Sequence, residues 1–209
     1  MKKVVVLNSG GFDSTLLIKF LKHDYKVELH SVYFSYGQFN DIPAAECAKM
    51  NAEKYCDSHR VITLPEFNWT SRDFYGSDWK SQSENYLEAR NLIFASYAAS
   101  FAQSIGADTV AMALIDGLNT ENPYPDSTCR FAKKLNRLFR EFGLSFKAPF
   151  IISNKTSLLQ MGAAFGVPIE SFLSCDKTNT HTPCGVCPDC EALEEYKEYV
   201  KILSNPIDN

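Results

Sequence analysis

The stretch Lys2-Lys3-Val4-Val5-Val6-Leu7-Asn8-Ser9-Gly10-Gly11-Phe12-Asp13-Ser14-Thr15-Leu16-Leu17 changes character twice within sixteen residues. Residues 2–8 form a short β-branched run that suits a strand, and two glycines follow it. From residue 14 to 23 the apolar side chains Leu16, Leu17, Phe20 and Leu21 recur at helical spacing. Strand, glycine-rich turn and helix are thus expected in that order. The alternation returns with a strand over 27–34, a helix over about 43–55 opening on Pro43, and a strand over 60–64. Strands that alternate with helices imply right-handed βαβ crossovers and a parallel sheet. The expected fold is α/β, a Rossmann-like parallel sheet flanked by helices.

The pattern breaks over 65–88, a polar and aromatic stretch that holds both tryptophans, Trp69 and Trp79, and reads as a long surface excursion. An Ala-rich helix is expected over 90–105, its small residues allowing close approach to a sheet. A strand over 109–114 and an Asn/Pro/Gly-rich loop through 126 follow. The next helix, about 127–142, is expected to bury Phe131, Leu135, Leu138 and Phe142, with Arg130, Lys133, Lys134, Arg137 and Arg140 on a solvated basic face. Another helix over 153–165, capped by Ser153 and ended by Gly166, leads to a cysteine-rich segment and a charged helix over about 189–203. No internal repeat is visible. The chain reads as one domain over 1–209, with a metal-binding segment at about 170–209.

Of the 209 residues 45% are hydrophobic and 22% charged, an ordinary globular composition with enough apolar material for one sizeable core. The formal net charge of −4 provides no overall positive field for nucleic acid or an anionic membrane, so a small-molecule partner is expected. The apolar run at 4–7 is far shorter than a signal-peptide core, and no run approaches the roughly 20 apolar residues that span a bilayer. A cytoplasmic protein is the expectation. Whether it pairs into a homodimer is left open.

Chemistry concentrates in two places. Ser9, Gly10, Gly11, Phe12, Asp13, Ser14 and Thr15 sit between the first strand and the first helix, where open α/β sheets bind ligands. Two glycines let the backbone fold round an anion, the helix start adds free N–H groups, and three hydroxyls add donors, so the turn reads as a phosphate cradle. Neither a Walker lysine pattern nor G-x-G-x-x-G is present. The string resembles the S-G-G-x-D-S loop of N-type ATP pyrophosphatases, an adenine nucleotide alpha hydrolase-like group that holds the pyrophosphate of ATP while a substrate attacks the α-phosphorus. Asp13 is too acidic to face phosphate unaided and is expected to work with magnesium.

The second place is Cys175, Cys184, Cys187 and Cys190, four of the seven cysteines within sixteen residues at C-x8-C-x2-C-x2-C spacing. In a reducing compartment such clustering points to metal. Four thiolates make a closed tetrahedral zinc site with a structural role, with an iron–sulfur cluster as the competing reading. Cys47, Cys56 and Cys129, scattered on expected helices, read as small buried hydrophobes.

Together with what lies between them, these motifs resemble the 7-cyano-7-deazaguanine synthase family of queuosine biosynthesis. Tyr36-Gly37-Gln38 matches its Y-G-Q, Arg90-Asn91 its R-N, Tyr124-Pro125-Asp126 with Phe131 its Y-P-D and trailing phenylalanine, and Lys155 a lysine on the late helix. The chain departs from the family at Phe39-Asn40, where basic residues are usual, at Glu88-Ala89 in place of P-G, and at Ser127-Thr128 in place of C-R. These departures surround the substrate, and an arginine is lost there unless Arg130 substitutes. The resemblance implies an ATP-dependent carbon–nitrogen ligase that converts 7-carboxy-7-deazaguanine and ammonia to the nitrile through an acyl adenylate and an amide. It implies ATP, magnesium and zinc, with Ser9, Asp13, Ser14, Arg90 and Lys155 in catalysis. Arg90 and Lys155 are candidates for pyrophosphate or the carboxylate, and Tyr36, Gln38, Asn91, Tyr124 and Asp126 for the deazapurine. Two rival readings are the same adenylation chemistry on another acid or amine acceptor, and a non-catalytic zinc-ribbon binding module.

Overall fold

The computed structural model of the protein describes residues 2–24, 26–65, 89–116 and 124–204. Five strands, β1 (Lys2–Leu7), β2 (Val27–Ser35), β3 (Ser58–Thr63), β4 (Thr109–Ala111) and β5 (Ser145–Lys147), form one sheet in the order β3-β2-β1-β4-β5. Every pairing in it is parallel. Strand β1 is central and apolar on both faces, as expected of a strand covered on both sides. Val4 and Val6 enter one core with α1 (Phe12–Asp24), α5 (Lys155–Ala164) and α6 (Pro188–Ser204), through Leu16, Leu17, Leu158 and Tyr196. Val5 and Leu7 enter the other, against α3 (Arg90–Ser104) and α4 (Cys129–Arg140). Helix α2 (Asp41–Tyr55) packs beside α1. Ala95, Ala98 and Ala102 of α3, all fully buried, make the small-residue stripe that faces the sheet.

The strand order reverses at β1, with β2 on one side and β4 on the other. The chain therefore diverges in opposite directions from the carboxyl end of β1, leaving a crevice above the sheet where the glycine-rich turn begins.

Several element boundaries differ from the expectation. Strand β5 was not foreseen: three residues between Gly143 and Pro149 are too few to show a period. Strand β4 is shorter than 109–114, although Met112 N still donates to Lys147 O at 3.0 Å. Helix α5 is capped by Asn154, whose side chain accepts from Ser157 N at 2.8 Å, and not by Ser153. On α4 the buried pair is Leu135 and Phe139, an i, i+4 couple, while Leu138 and Phe142 are more than half exposed. Phe142 lies beyond the helix end, in the turn before Gly143, so helical spacing no longer places it. The excursion expected at 65–88 falls, apart from Pro65, outside the described residues, as does 117–123 of the loop before Tyr124. Among the described residues no helix is long and apolar enough to cross a membrane.

Candidate active site and metal-binding cysteine cluster

The crevice holds a cavity of about 410 Å³. Its floor is the turn between β1 and α1. Gly10 has φ +74°, and a Cβ there would lie 2.1 Å from Ala44 O, so glycine is required both by conformation and by the close approach of α2. The turn is tied to the C-terminal segment, where Leu173 N donates to Gly10 O at 2.8 Å. Ser14 Oγ is 3.1 Å from Ser9 Oγ and accepts from Ser9 N at 3.2 Å, while Gly11 N donates to Ser9 Oγ at 3.3 Å. Two hydroxyls and a backbone N–H thus converge at the head of α1, a concave donor set suited to an anion.

Asp13 faces Lys155 of α5, whose Nζ is 3.0 and 3.1 Å from its two carboxylate oxygens. Both side chains are partly open to the cavity, 29% and 40% exposed, and Lys155 also sits 5.4 Å over the Phe12 ring. Asp176 and Asp189 line the same cavity and add carboxylates to its wall. Burial raises the Asp189 carboxyl above the usual range; Lys155 opposes that rise, and Asp176 adds to it.

Opposite the turn, Gln38 Oε1 accepts from Tyr36 N at 2.8 Å, and its Nε2 donates to Tyr33 Oη and Phe34 O. Gln38 therefore shapes the bend after β2, where Gly37 has φ +84°. Tyr36 Oη accepts from Arg90 Nη1 at 3.1 Å, which brings the Y-G-Q and R-N segments together across the cavity. Ala89, ahead of α3, has a left-handed φ of 54° and no side chain to cap the helix. Asp126, 94% buried by its 6% exposure, does so from a distance: its Oδ2 accepts from Asn91 N at 2.8 Å. Asn91 Nδ2 returns bonds to Asp126 O and Ser127 Oγ. Among the described residues Asp126 Oδ1 has no partner.

Ser9, Gly11, Phe12, Asp13, Ser14, Tyr36, Gln38, Arg90, Asn91 and Lys155 line the cavity as the sequence led one to expect. Gly10, Thr15, Tyr124 and Asp126 do not, among its described lining. Gly10 backs onto α2; fully buried Thr15 donates to Gly11 O and accepts from Asn51; Asp126 lies behind Asn91. Arg130 is exposed on α4 and does not line the cavity, and Thr128 is the N-cap of that helix, accepting from Phe131 N at 3.0 Å. Sequence reading missed Asn8, Ser174, Asp176 and Asp189. Asp189 stands within the spacer between Cys187 and Cys190, where attention goes to the thiols.

The four cysteine sulfurs lie within 4.8 Å of one another, close enough to hold one ion. Gly185 N donates to Cys190 Sγ at 3.3 Å and Cys184 N to Cys175 Sγ at 3.5 Å, with Gly185 at φ +77° forming the turn. Burial pushes the Cys187 thiol up to about 12, while backbone N–H groups bring the exposed Cys184 thiol down to about 7. His181 bonds Glu46 at 2.7 Å and is not needed as a ligand. Burial likewise pushes Cys47 up to about 11 and Cys56 up to about 12, away from thiolate reactivity.

A parallel sheet with a serine-glycine cradle at its switch point defines an α/β protein of the PP-loop, adenine nucleotide alpha hydrolase-like class. A solved structure described as a 4-thiouridine synthetase–RNA complex with bound ATP shares this fold, with a TM-score of 0.51 at 18% identity, over 97% of this chain and 51% of that one. Residues 3–199 match the family model for the queuosine biosynthesis protein QueC, and the chain belongs to that family. Relatives named 7-cyano-7-deazaguanine synthase include one from Sulfurihydrogenibium sp., 27% identical over 93% of each chain. Another, from Methanobrevibacter smithii, is 29% identical over 90% of each, and one from Rickettsia bellii is 29% identical over 95% of each.

Proposed function

We propose that the protein is an ATP-dependent carbon–nitrogen ligase that converts 7-carboxy-7-deazaguanine and ammonia to 7-cyano-7-deazaguanine. The observation that carries this reading is the meeting, in one cavity, of the Ser9–Ser14 cradle, the Asp13–Lys155 pair and the Tyr36–Arg90 contact. The names of its relatives support the substrate.

A carboxylate is a poor electrophile, so it must be activated before nitrogen can attack. Its oxygen attacks the α-phosphorus of ATP, pyrophosphate departs, and an acyl adenylate remains. Ammonia then adds to the acyl carbon, loses a proton, and displaces AMP to leave the amide. In a second round the amide oxygen is adenylated as pyrophosphate departs and one N–H proton is lost; loss of the second N–H proton and cleavage of the C–O bond to AMP give the nitrile. Pyrophosphate leaves in both rounds, so one fixed donor set at Ser9, Gly11 and Ser14 stabilises both departures. Lys155 adds positive charge beside that cradle, and Arg90, at the cavity rim, is the cation for the substrate carboxylate. Asp13 would hold magnesium, whose chemistry is to neutralise phosphate charge. Asp126 holds the start of α3, and so Arg90, in place. Four cysteine thiolates would hold zinc in a closed, structural set. The nitrogen donor is free ammonia, and the chain works as a single soluble domain in the cytoplasm.

In Asp13→Ala and Ser14→Ala proteins, ATP-dependent AMP release is expected to disappear while the circular dichroism spectrum stays that of the wild type, because neither side chain supports a core. AMP release at the wild-type rate in both variants would overturn the reading of the loop.

A further inference from the structure

Asn8 follows four apolar residues of β1 and is itself 1% exposed, yet it borders the cavity. Burying an amide there is costly unless its groups are paired, and this one is fully engaged. Its Oδ1 accepts from Gly10 N at 3.1 Å. Its Nδ2 donates to Ala48 O of α2 at 2.8 Å and to Ser31 Oγ of β2 at 3.1 Å. The partners fix the orientation of the amide, because an exchange of its oxygen and nitrogen would set donor against donor at Gly10 and acceptor against acceptor at Ala48. One side chain thereby joins the glycine-rich turn to the neighbouring strand and to α2.

The consequence lies in where the turn aims its N–H groups. Asn8 holds the Gly10 N–H inward, and Leu173 N holds the Gly10 carbonyl. In a trans peptide the N–H points opposite to the carbonyl, so fixing the Gly10 carbonyl turns the Gly11 N–H the other way, onto Ser9 Oγ at the cavity wall. With the first N–H withheld by Asn8 and the second resting on Ser9 Oγ at the exposed cavity wall, the cradle has a defined mouth. We infer that Asn8 is a positioning residue: it makes no contact with a ligand but sets the backbone donor that receives a polyphosphate anion. The inference rests on the proposed reading of the turn as the site for the pyrophosphate part of ATP.

The probe is inorganic pyrophosphate, with adenosine as the reference ligand, titrated into wild type, Asn8→Leu and Ser31→Ala well below their melting temperatures. Asn8→Leu is expected to lose at least tenfold in pyrophosphate affinity and to keep adenosine affinity within twofold. Ser31→Ala removes one partner of Asn8 without touching the turn and is expected to bind pyrophosphate within twofold of wild type. Equal losses for both ligands, or equal losses in the two variants, would mean general loosening and overturn the inference, as would unchanged pyrophosphate binding in Asn8→Leu. If wild type fails to bind pyrophosphate, the reading of the turn itself fails and the inference falls with it. Should Asn8→Leu not fold, amide exchange in the wild type decides: the Gly10 amide should be protected equally with and without pyrophosphate, and the Gly11 amide, on an exposed bond to Ser9 Oγ, should exchange faster and gain protection when pyrophosphate is added. A Gly10 amide that exchanges freely in the unliganded protein would overturn the proposal.

Discussion

Gly10→Ala would place a methyl carbon 2.1 Å from the Ala44 carbonyl oxygen and 2.9 Å from its carbon, so either the turn or α2 must move. Two penalties add. The φ of +74° is a left-handed conformation that costs an L-residue roughly 1–2 kcal/mol. Overpacking against backbone, which cannot change rotamer, typically adds about 1–3 kcal/mol, for a sum of about 2–5 kcal/mol. In a chain of this size each kcal/mol lowers Tm by about 2–4 °C, so a fall of roughly 4–20 °C is expected. Gly143→Ala is the control, since φ there is +70° but a Cβ would meet nothing within 4 Å. It carries the conformational penalty alone, worth a few degrees by the same scaling. Differential scanning calorimetry on the two variants separates the terms. Equal melting temperatures for Gly10→Ala and Gly143→Ala would refute the close packing of the turn on α2, and with it the fixed shape of the cradle.

Two further outcomes follow from the geometry. Purified protein is expected to carry about one zinc per chain and to melt lower after chelation, since metal binding to such a site is folding energy; iron on elemental analysis, or an unchanged Tm in the metal-free protein, contradicts this. His59 has its imidazole pKa lowered from 6.5 by burial first, with Glu53 opposing and Lys49 assisting. The unfolded chain therefore takes up its proton at higher pH than the folded one. The stability this group contributes is fully present above about pH 6.5 and is lost as pH falls from there through the lowered value. Urea midpoints at pH 7.5 and 5.5 should thus differ less in His59→Gln than in wild type, and an identical difference would contradict the sign.

What the sequence disclosed depended on how local the cause was. The β1–turn–α1 unit was legible because a strand, two glycines and a helical period are all written within some twenty residues. The cysteine cluster was legible for the same reason. Asn8 was read only as the end of a strand, because its partners Ser31 and Ala48 are 23 and 40 positions away. Asp126 was assigned to the ligand, whereas one of its oxygens caps a helix 35 residues earlier that has only Ala89 at its own N-cap. On α4 the choice between Leu138 and Phe139 as the inward residue was settled by tertiary packing, since the sequence offers apolar candidates on both sides. Fold class and family were therefore readable early, while the division of labour among the cavity residues needed coordinates.

The most direct test of the proposed activity is to incubate the protein with ATP, magnesium, ammonium and 7-carboxy-7-deazaguanine, and to identify the base product by mass while counting AMP. The nitrile is expected, with two AMP released per molecule and none of it formed when ammonium is withheld. A product that stops at the amide, or the absence of AMP release with this acid, would contradict the account.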